Sequence, residues 1–342
     1  GLEVIRRVLD AANHRYEIEG DAVTVSASVG ITVFPDDGVE PELLIRHADQ
    51  AMYIAKQTGR NRYFLFDPMK DEAARAELSA LQRLESALNA GEFELHYQPK
   101  VDMPRGLVTG AEALIRWRHP QRGLVYPGDF LPITENNDFA IILGEWVISE
   151  AIRQADAWHH QGLTLSISIN IAARHLSLSD FTPRLALMLS RHPTLPHGRI
   201  ELEILETAAL SDTAHVSQVI EACRELGVSF ALDDFGTGYS SLLYLKHLPA
   251  TTLKIDQSFV RDMQVDAEDL AIVKGVIGLA QAFNRSVIAE GVESIGLGDA
   301  LLDLGCSHAQ GYGIARAMPP AEFRQWLDNW RAPASWQINR LN

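Results

Sequence analysis

Residues 229–256 read SFALDDFGTGYSSLLYLKHLPATTLKID. The stretch holds two short apolar runs, 229–233 and 252–256, and both end in charge: Asp233 and Asp234 close the first, Lys254 and Asp256 the second. Short apolar runs of this kind read as strands buried on both faces, the habit of a parallel sheet. Outward from here the unit recurs, with strand candidates at 93–98, 108–116, 163–170, 200–206, 286–290 and 307–310. Amphipathic helices separate them. Val216, Val219, Ile220, Cys223 and Leu226 form one stripe that Gly227 terminates, and the helix over 139–160 carries Val147, Ile148, Ala151, Ile152, Ala155 and Trp158. The helix after the third strand is weakly marked around 185–190. Alternation of strand and helix over about 240 residues implies an α/β fold with a parallel sheet, and about eight units suggest closure into a (β/α)₈ barrel. A six-stranded open sheet is the alternative, but no G-x-G-x-x-G follows the first strand, so a dinucleotide-binding fold has no support.

Upstream, residues 1–66 read as a short α/β segment. The run VTVSASVGITV at 23–33 suits a strand pair around Gly30, and Pro35-Asp36-Asp37-Gly38 is a turn. A helix over 40–57 has its stripe at Leu43, Leu44, Ala48, Ala51, Met52 and Ala55, with Gly59 as its stop, and 61–66 is a further strand. Residues 69–90 are rich in Ala, Glu, Leu and Arg and lack Gly and Pro, which predicts one continuous helix with an apolar edge at Leu78, Leu81, Leu84 and Leu88. This helix reads as a linker. The expected organisation is a partial domain over 1–67, the linker over 68–88, the barrel over 89–333 and a tail over 334–342.

The chain has 342 residues, 46 % of them apolar, and a formal net charge of −15. Such acidity argues against sequence-independent binding of DNA or RNA, which needs a basic face. It leaves room for an anionic small ligand where metal ions or a few placed cations reverse the local sign. Cys223 and Cys306 lie in apolar stretches and read as buried free thiols, which suits a reducing cytoplasm. No apolar run approaches the ~18–20 residues of a membrane span, so no membrane contact is expected within this chain. The first residue is Gly1, and the expected reading is an excised piece of a longer protein whose membrane anchor, where it has one, lies upstream.

In a (β/α)₈ barrel the chemistry sits at the C-terminal strand ends. Here those ends carry Glu112, Asn170, Glu203, Glu206, Asp233, Asp234, Lys254, Asp256, Glu290 and Gln310. One such residue alone is ordinarily a helix N-cap or a solvated loop residue. The joint pattern is more specific, because so many carboxylates in one mouth repel one another unless cations sit among them. Oxygen donors favour Mg²⁺ or Mn²⁺ over zinc. The adjacent pair Asp233-Asp234 suits two ions ~3.5–4 Å apart that activate a water for in-line attack at phosphorus. Asp234-Phe235-Gly236 matches the kinase DFG only by accident, since no kinase Gly-rich loop or H-R-D motif accompanies it. Lys254 as a Schiff-base lysine is disfavoured, because a carboxylate-rich mouth keeps its ammonium charged.

These motifs, in order, closely resemble the EAL-domain cyclic-di-GMP phosphodiesterases over about residues 81–330. They are Tyr97-Gln98-Pro99, Glu112-Ala113-Leu114-Ile115-Arg116-Trp117, Asn170 closing SISIN, Glu203 and Glu206 in LEILET, Asp233-Asp234-Phe235-Gly236-Thr237-Gly238, Lys254-Ile255-Asp256, Glu290-Gly291-Val292-Glu293 and Gln310-Gly311-Tyr312. The resemblance implies a modified TIM-like barrel whose first strand runs antiparallel. It implies hydrolysis of one phosphodiester of cyclic di-GMP to linear pGpG with two Mg²⁺ or Mn²⁺ ions. Glu112, Asn170, Glu203 and Asp233 are implied as ligands of the first ion, and Asp233, Asp234 and Glu290 of the second. Lys254 is implied to orient the nucleophilic water, with Gln310 as partner to that water or to a metal-bound water. Gln98, Leu114, Arg116, Asp256 and Glu293 are implied as substrate contacts. Glu206 is implied to brace the loop 234–241, including Gly236, Thr237 and Gly238, which couples the site to a homodimer formed through the barrel. The runner-up is a non-catalytic cyclic-di-GMP receptor, although no ligand position is lost here. Two departures, GYGIARAMPP and the Leu of LEILET, touch none of the ligand positions. Residues 1–66, with SASVGITVFPDDG and HADQAMYIAKQTGRNRY, resemble the C-terminal part of a GGDEF diguanylate cyclase domain, without the signature itself.

Overall fold

The computed structural model describes residues 2–13, 15–18, 21–37, 40–57, 59–238 and 242–337. The chain divides into two compact units, Gly1–Ala90 with Pro132–Phe139, and Gly91–Leu131 with Ala140–Asn342.

In the first unit, the strand pair expected within 23–33 does not form. Asp21–Thr24 pairs antiparallel with Arg15–Ile18, while Val29–Ile31 pairs in parallel with Tyr63–Leu65. The helix Pro41–Gln57 lies between these parallel strands in sequence, and a parallel pair needs such a crossover. Gly30 shows why the strand stays with the helix: a Cβ there would lie 1.9 Å from the Ala48 carbonyl oxygen. The helix buries Ala51, Ile54 and Ala55, and the His47 ring stacks on Phe66 with centroids 3.8 Å apart. The Asp37 carboxylate accepts the Val33 amide at 2.6 Å within the expected turn, whose Gly38 lies outside the described residues. The helix Leu2–Ala12 has no counterpart in the sequence reading. Residues 68–89 form the single helix Pro68–Asn89, with Leu81 and Leu84 buried.

The second unit is a closed eight-stranded barrel. Its strands in order are Phe93–Asp102, Leu107–His119, Ser166–Asn170, Ile200–Leu205, Ser229–Phe235, Thr252–Ile255, Ser286–Ala289 and His308–Ala309, so each of the eight candidates is a strand. The first pairs with both the second and the eighth, which closes the ring, and it runs antiparallel to both. The other neighbours pair in parallel. A short strand, Gly123–Val125, hairpins onto the second. The helix Phe139–His160 buries the whole predicted stripe from Val147 to Trp158. The weakly marked helix is present as Phe181–Ser190. Thr213–Glu225 buries Val216, Val219, Ile220 and Cys223, is capped by Asp212 and ends before Gly227 at φ +79°. Both cysteines are buried free thiols, pushed up by burial to about 11 at Cys223 and about 12 at Cys306. Among the described residues, no helix is long and apolar enough to cross a membrane.

The antiparallel first strand is secured by aromatic packing. Tyr97 exchanges backbone hydrogen bonds with Met318, at 2.8 and 3.1 Å. Its ring meets Trp158 edge-on at 4.9 Å, and Trp158 stacks on Phe323 at 4.8 Å. Trp158 is 2 % exposed, so Trp158→Ala removes contacts to a barrel strand and a C-terminal helix at once. Urea unfolding should show a loss of about 3–5 kcal/mol; a loss under about 1 kcal/mol would mean that this cluster does not carry the closure.

Candidate active site

Parallel strands of a barrel end on one face, so residues at those ends meet. Alternation along the second strand places Glu112, Leu114 and Arg116 on one side of the sheet. Glu112 pairs in register with Gln98 of the first strand and Ser168 of the third, and Asn170 pairs with Glu203. Asn170 donates to Glu112 Oε1 at 2.6 Å, and Gln310 donates to Glu112 Oε2 at 2.6 Å and to Gln98 Oε1 at 2.9 Å. Gln98 in turn donates to the Ala315 carbonyl at 3.1 Å.

Lys254 stands at the centre, fully buried. Its Nζ lies 2.6 Å from Glu203 Oε2, 2.7 Å from Glu290 Oε1, 2.9 Å from Asp233 Oδ1 and 3.8 Å from Glu112 Oε2. Burial works against the ammonium, but those four carboxylates outweigh it and hold the lysine well above its ordinary value. Glu203 is below its ordinary value, because Lys254 and Lys100 overcome the burial that raises it. Glu290, Glu112 and Asp233 stay raised, first by burial and then by their acidic neighbours.

Neighbouring residues of a regular strand face opposite ways. Asp233 and Asp234 escape this rule. The pairing with the sixth strand shifts register between Leu232 and Phe235, and Asp234 adopts φ +53°, a left-handed backbone rare outside glycine. As a result, oxygens of Asp233, Asp234 and Glu290 all lie within 4.8 Å of one another. Burial, the Asp233 charge and Asp256 raise Asp234 to about 7. Asp256 also caps the helix Gln257–Asp262 by accepting the Ser258 amide at 2.9 Å, so the ordinary strand-end role and a place at the site coexist in one residue.

This donor set fits hard divalent cations. It is made of carboxylate and amide oxygens, its acids exceed what one lysine neutralises, and the buried Glu203 Oε1 lacks a hydrogen-bond donor.

Glu206 is buried and accepts the Gly236 amide at 3.0 Å. A Cβ on Gly238 would lie 2.7 Å from Glu206 Oε1, so that glycine allows the loop to close on the carboxylate. Thr237 Oγ1 donates to the Asp234 carbonyl at 2.8 Å. Residues 239–241 of the predicted loop lie outside the described residues. Arg116 is buried with its guanidinium 4.9 Å above the Tyr126 ring, and burial lowers its pKa. Leu114 is half-buried, and Glu293 is exposed beyond Glu290. The sequence reading passed over a layer beneath the mouth: the buried Lys100 and Ser168 with the half-buried Glu201. Lys100 Nζ donates to Ser168 Oγ and to Glu201 Oε1, the latter at 3.2 Å. The available signal was a glutamate inside the run 200–206, whereas Lys100 lies two residues beyond the candidate strand 93–98 and carried none.

The Glu206 contact has a local readout. Glu206→Ala removes a charge-assisted hydrogen bond, so the Gly236 amide should exchange with solvent about 10-fold faster or more. Unchanged exchange would show that the carboxylate does not brace this loop.

The EAL domain family model matches residues 81–317, and the model described as "Diguanylate cyclase, GGDEF domain" matches residues 2–62. The chain is 41 % identical over 305 residues to the bifunctional diguanylate cyclase/cyclic di-GMP phosphodiesterase MucR of Pseudomonas aeruginosa, covering 89 % of this chain and 44 % of the relative. It is 36 % identical over 324 residues to the cyclic di-GMP phosphodiesterase PdeR of Escherichia coli, covering 95 % of this chain and 49 % of the relative. The chain thus spans less than half the length of both curated relatives. Among solved structures, the PaMucR phosphodiesterase in complex with c-di-GMP is 40 % identical with a TM-score of 0.69, covering 72 % of this chain and 99 % of that one.

Proposed function

The chain belongs to the EAL domain family, and from that premise we propose that its barrel hydrolyses one phosphodiester bond of cyclic di-GMP to linear pGpG. The observation that carries the reading is the gathering of Glu112, Glu203, Asp233 and Glu290 around the buried Lys254, with Asp234 turned into the same mouth. Glu112, Asn170, Glu203 and Asp233 would hold one divalent cation. Asp233, Asp234 and Glu290 would hold a second, and Mg²⁺ or Mn²⁺ suits both. When bound, such a pair supplies an activated water and charge stabilisation at phosphorus.

The chain's own residues do the rest. Lys254, held among these carboxylates, would orient the nucleophilic water with an N–H donor released when a cation takes up one of its carboxylate partners. Gln310, held by Gln98 and Glu112, is a second polar partner for that water. Gln98, Leu114, Arg116, Asp256 and Glu293 contact the substrate, with Arg116 opposing its anionic charge. Glu206, through Gly236, Thr237 and Gly238, orders the loop that links the mouth to a homodimer. We assign this activity to the cytoplasm and divide the chain into a GGDEF-like segment over 1–67, a linker over 68–88, the barrel over 89–333 and a tail over 334–342. The net charge of −15 favours a small dianionic substrate held by cations over DNA or RNA.

The test is incubation with cyclic di-GMP and Mg²⁺ or Mn²⁺, with product analysis. The expected product is pGpG, and chelation of the metal should abolish it. Glu112→Ala, Asp233→Ala and Lys254→Met should each lower turnover by about 100-fold or more. Tight, metal-independent ligand binding without product under either ion would replace this reading with a receptor role.

A further inference from the structure

We propose that Lys100 is a positioning residue of this site, holding the Glu203 carboxylate in the orientation that serves metal binding. The inference rests on the metal-dependent reading above and adds a residue to it. Lys100 lies on the antiparallel first strand, one alternation below Gln98. Its register partner on the second strand is Gly110, which has no side chain. The ammonium reaches past that strand to Ser168 on the third and Glu201 on the fourth. Ser168 also donates to Glu201 Oε1, at 2.9 Å. These contacts anchor the ammonium 3.6 Å from Glu203 Oε1.

Glu203 is therefore clamped between two buried cations, Lys100 facing Oε1 and Lys254 on Oε2. Oε1 is buried and receives no hydrogen bond, so Lys100 is the charge that keeps it on its side of the barrel. Without Lys100, both oxygens of Glu203 can swing to Lys254. That chelation withdraws a ligand oxygen from the cation. A pair serving only to neutralise Glu201 would need no approach to Glu203.

The experiment compares Lys100→Met and the double variant Lys100→Met/Glu201→Gln with the unsubstituted protein. Three quantities are read: Mn²⁺ affinity without substrate by electron paramagnetic resonance, thermal melting, and kcat and KM for cyclic di-GMP. Lys100→Met should weaken Mn²⁺ binding by about 10-fold or more and lower kcat, with KM little changed. The double variant removes both partners of the largely buried ion pair together, so it should recover the melting temperature while Mn²⁺ affinity stays low. The sign is diagnostic, because loss of a nearby positive charge by itself tightens cation binding. Unchanged or tighter Mn²⁺ binding by Lys100→Met, or recovery of affinity in the double variant, would overturn the positioning role. Absence of Mn²⁺ binding by the unsubstituted protein would overturn the metal reading, and the role of Lys100 with it.

Discussion

Carboxylate crowding in a poorly solvated barrel mouth is the constraint on which this structure depends. Glu112, Glu203, Asp233 and Glu290 all approach Lys254, and burial raises the cost of every negative charge among them. Lys254, with Lys100 on the far side of Glu203, meets part of that charge. The remainder makes the mouth fit divalent cations, and in the function proposed above such cations would let an acidic chain take an anionic substrate.

The barrel supplies the rigidity that such crowding demands. Seven strands bring their C-terminal ends to one face, while the first runs the other way and lends Gln98 at the mouth and Lys100 a level below. Reversal of that strand sets Gln98 opposite Glu112 and carries the chain from the mouth down to Lys100. Backbone pairing of Tyr97 with Met318 and the ring contacts through Trp158 to Phe323 keep it in register. The loop after the fifth strand is held differently, by one buried carboxylate, Glu206, on the Gly236 amide.

Much of this was legible in the chain. The eight strand candidates, the stripe of Phe139–His160 and the continuous helix Pro68–Asn89 follow from periodicity, because burial selects apolar residues at the spacing of each element. The acidic strand ends were legible for the same reason: charged residues interrupt otherwise buried runs. The pairing within 23–33 was misread. Local alternation shows that a segment is a strand but not which partner it takes, and there the partners were 15–18 and 63–65.

By itself, then, the sequence determined the class of fold and the residue types at the mouth, since both are written in local pattern. The strand direction was implied only through resemblance. The tertiary structure decided the rest. The left-handed turn at Asp234 puts two adjacent aspartates on one side, which alternation alone forbids. Lys100, unremarked in its strand, lies against Glu201 and Glu203, about a hundred residues away in sequence. Such contacts depend on closure of the ring, and closure is a long-range event that no local window of sequence contains.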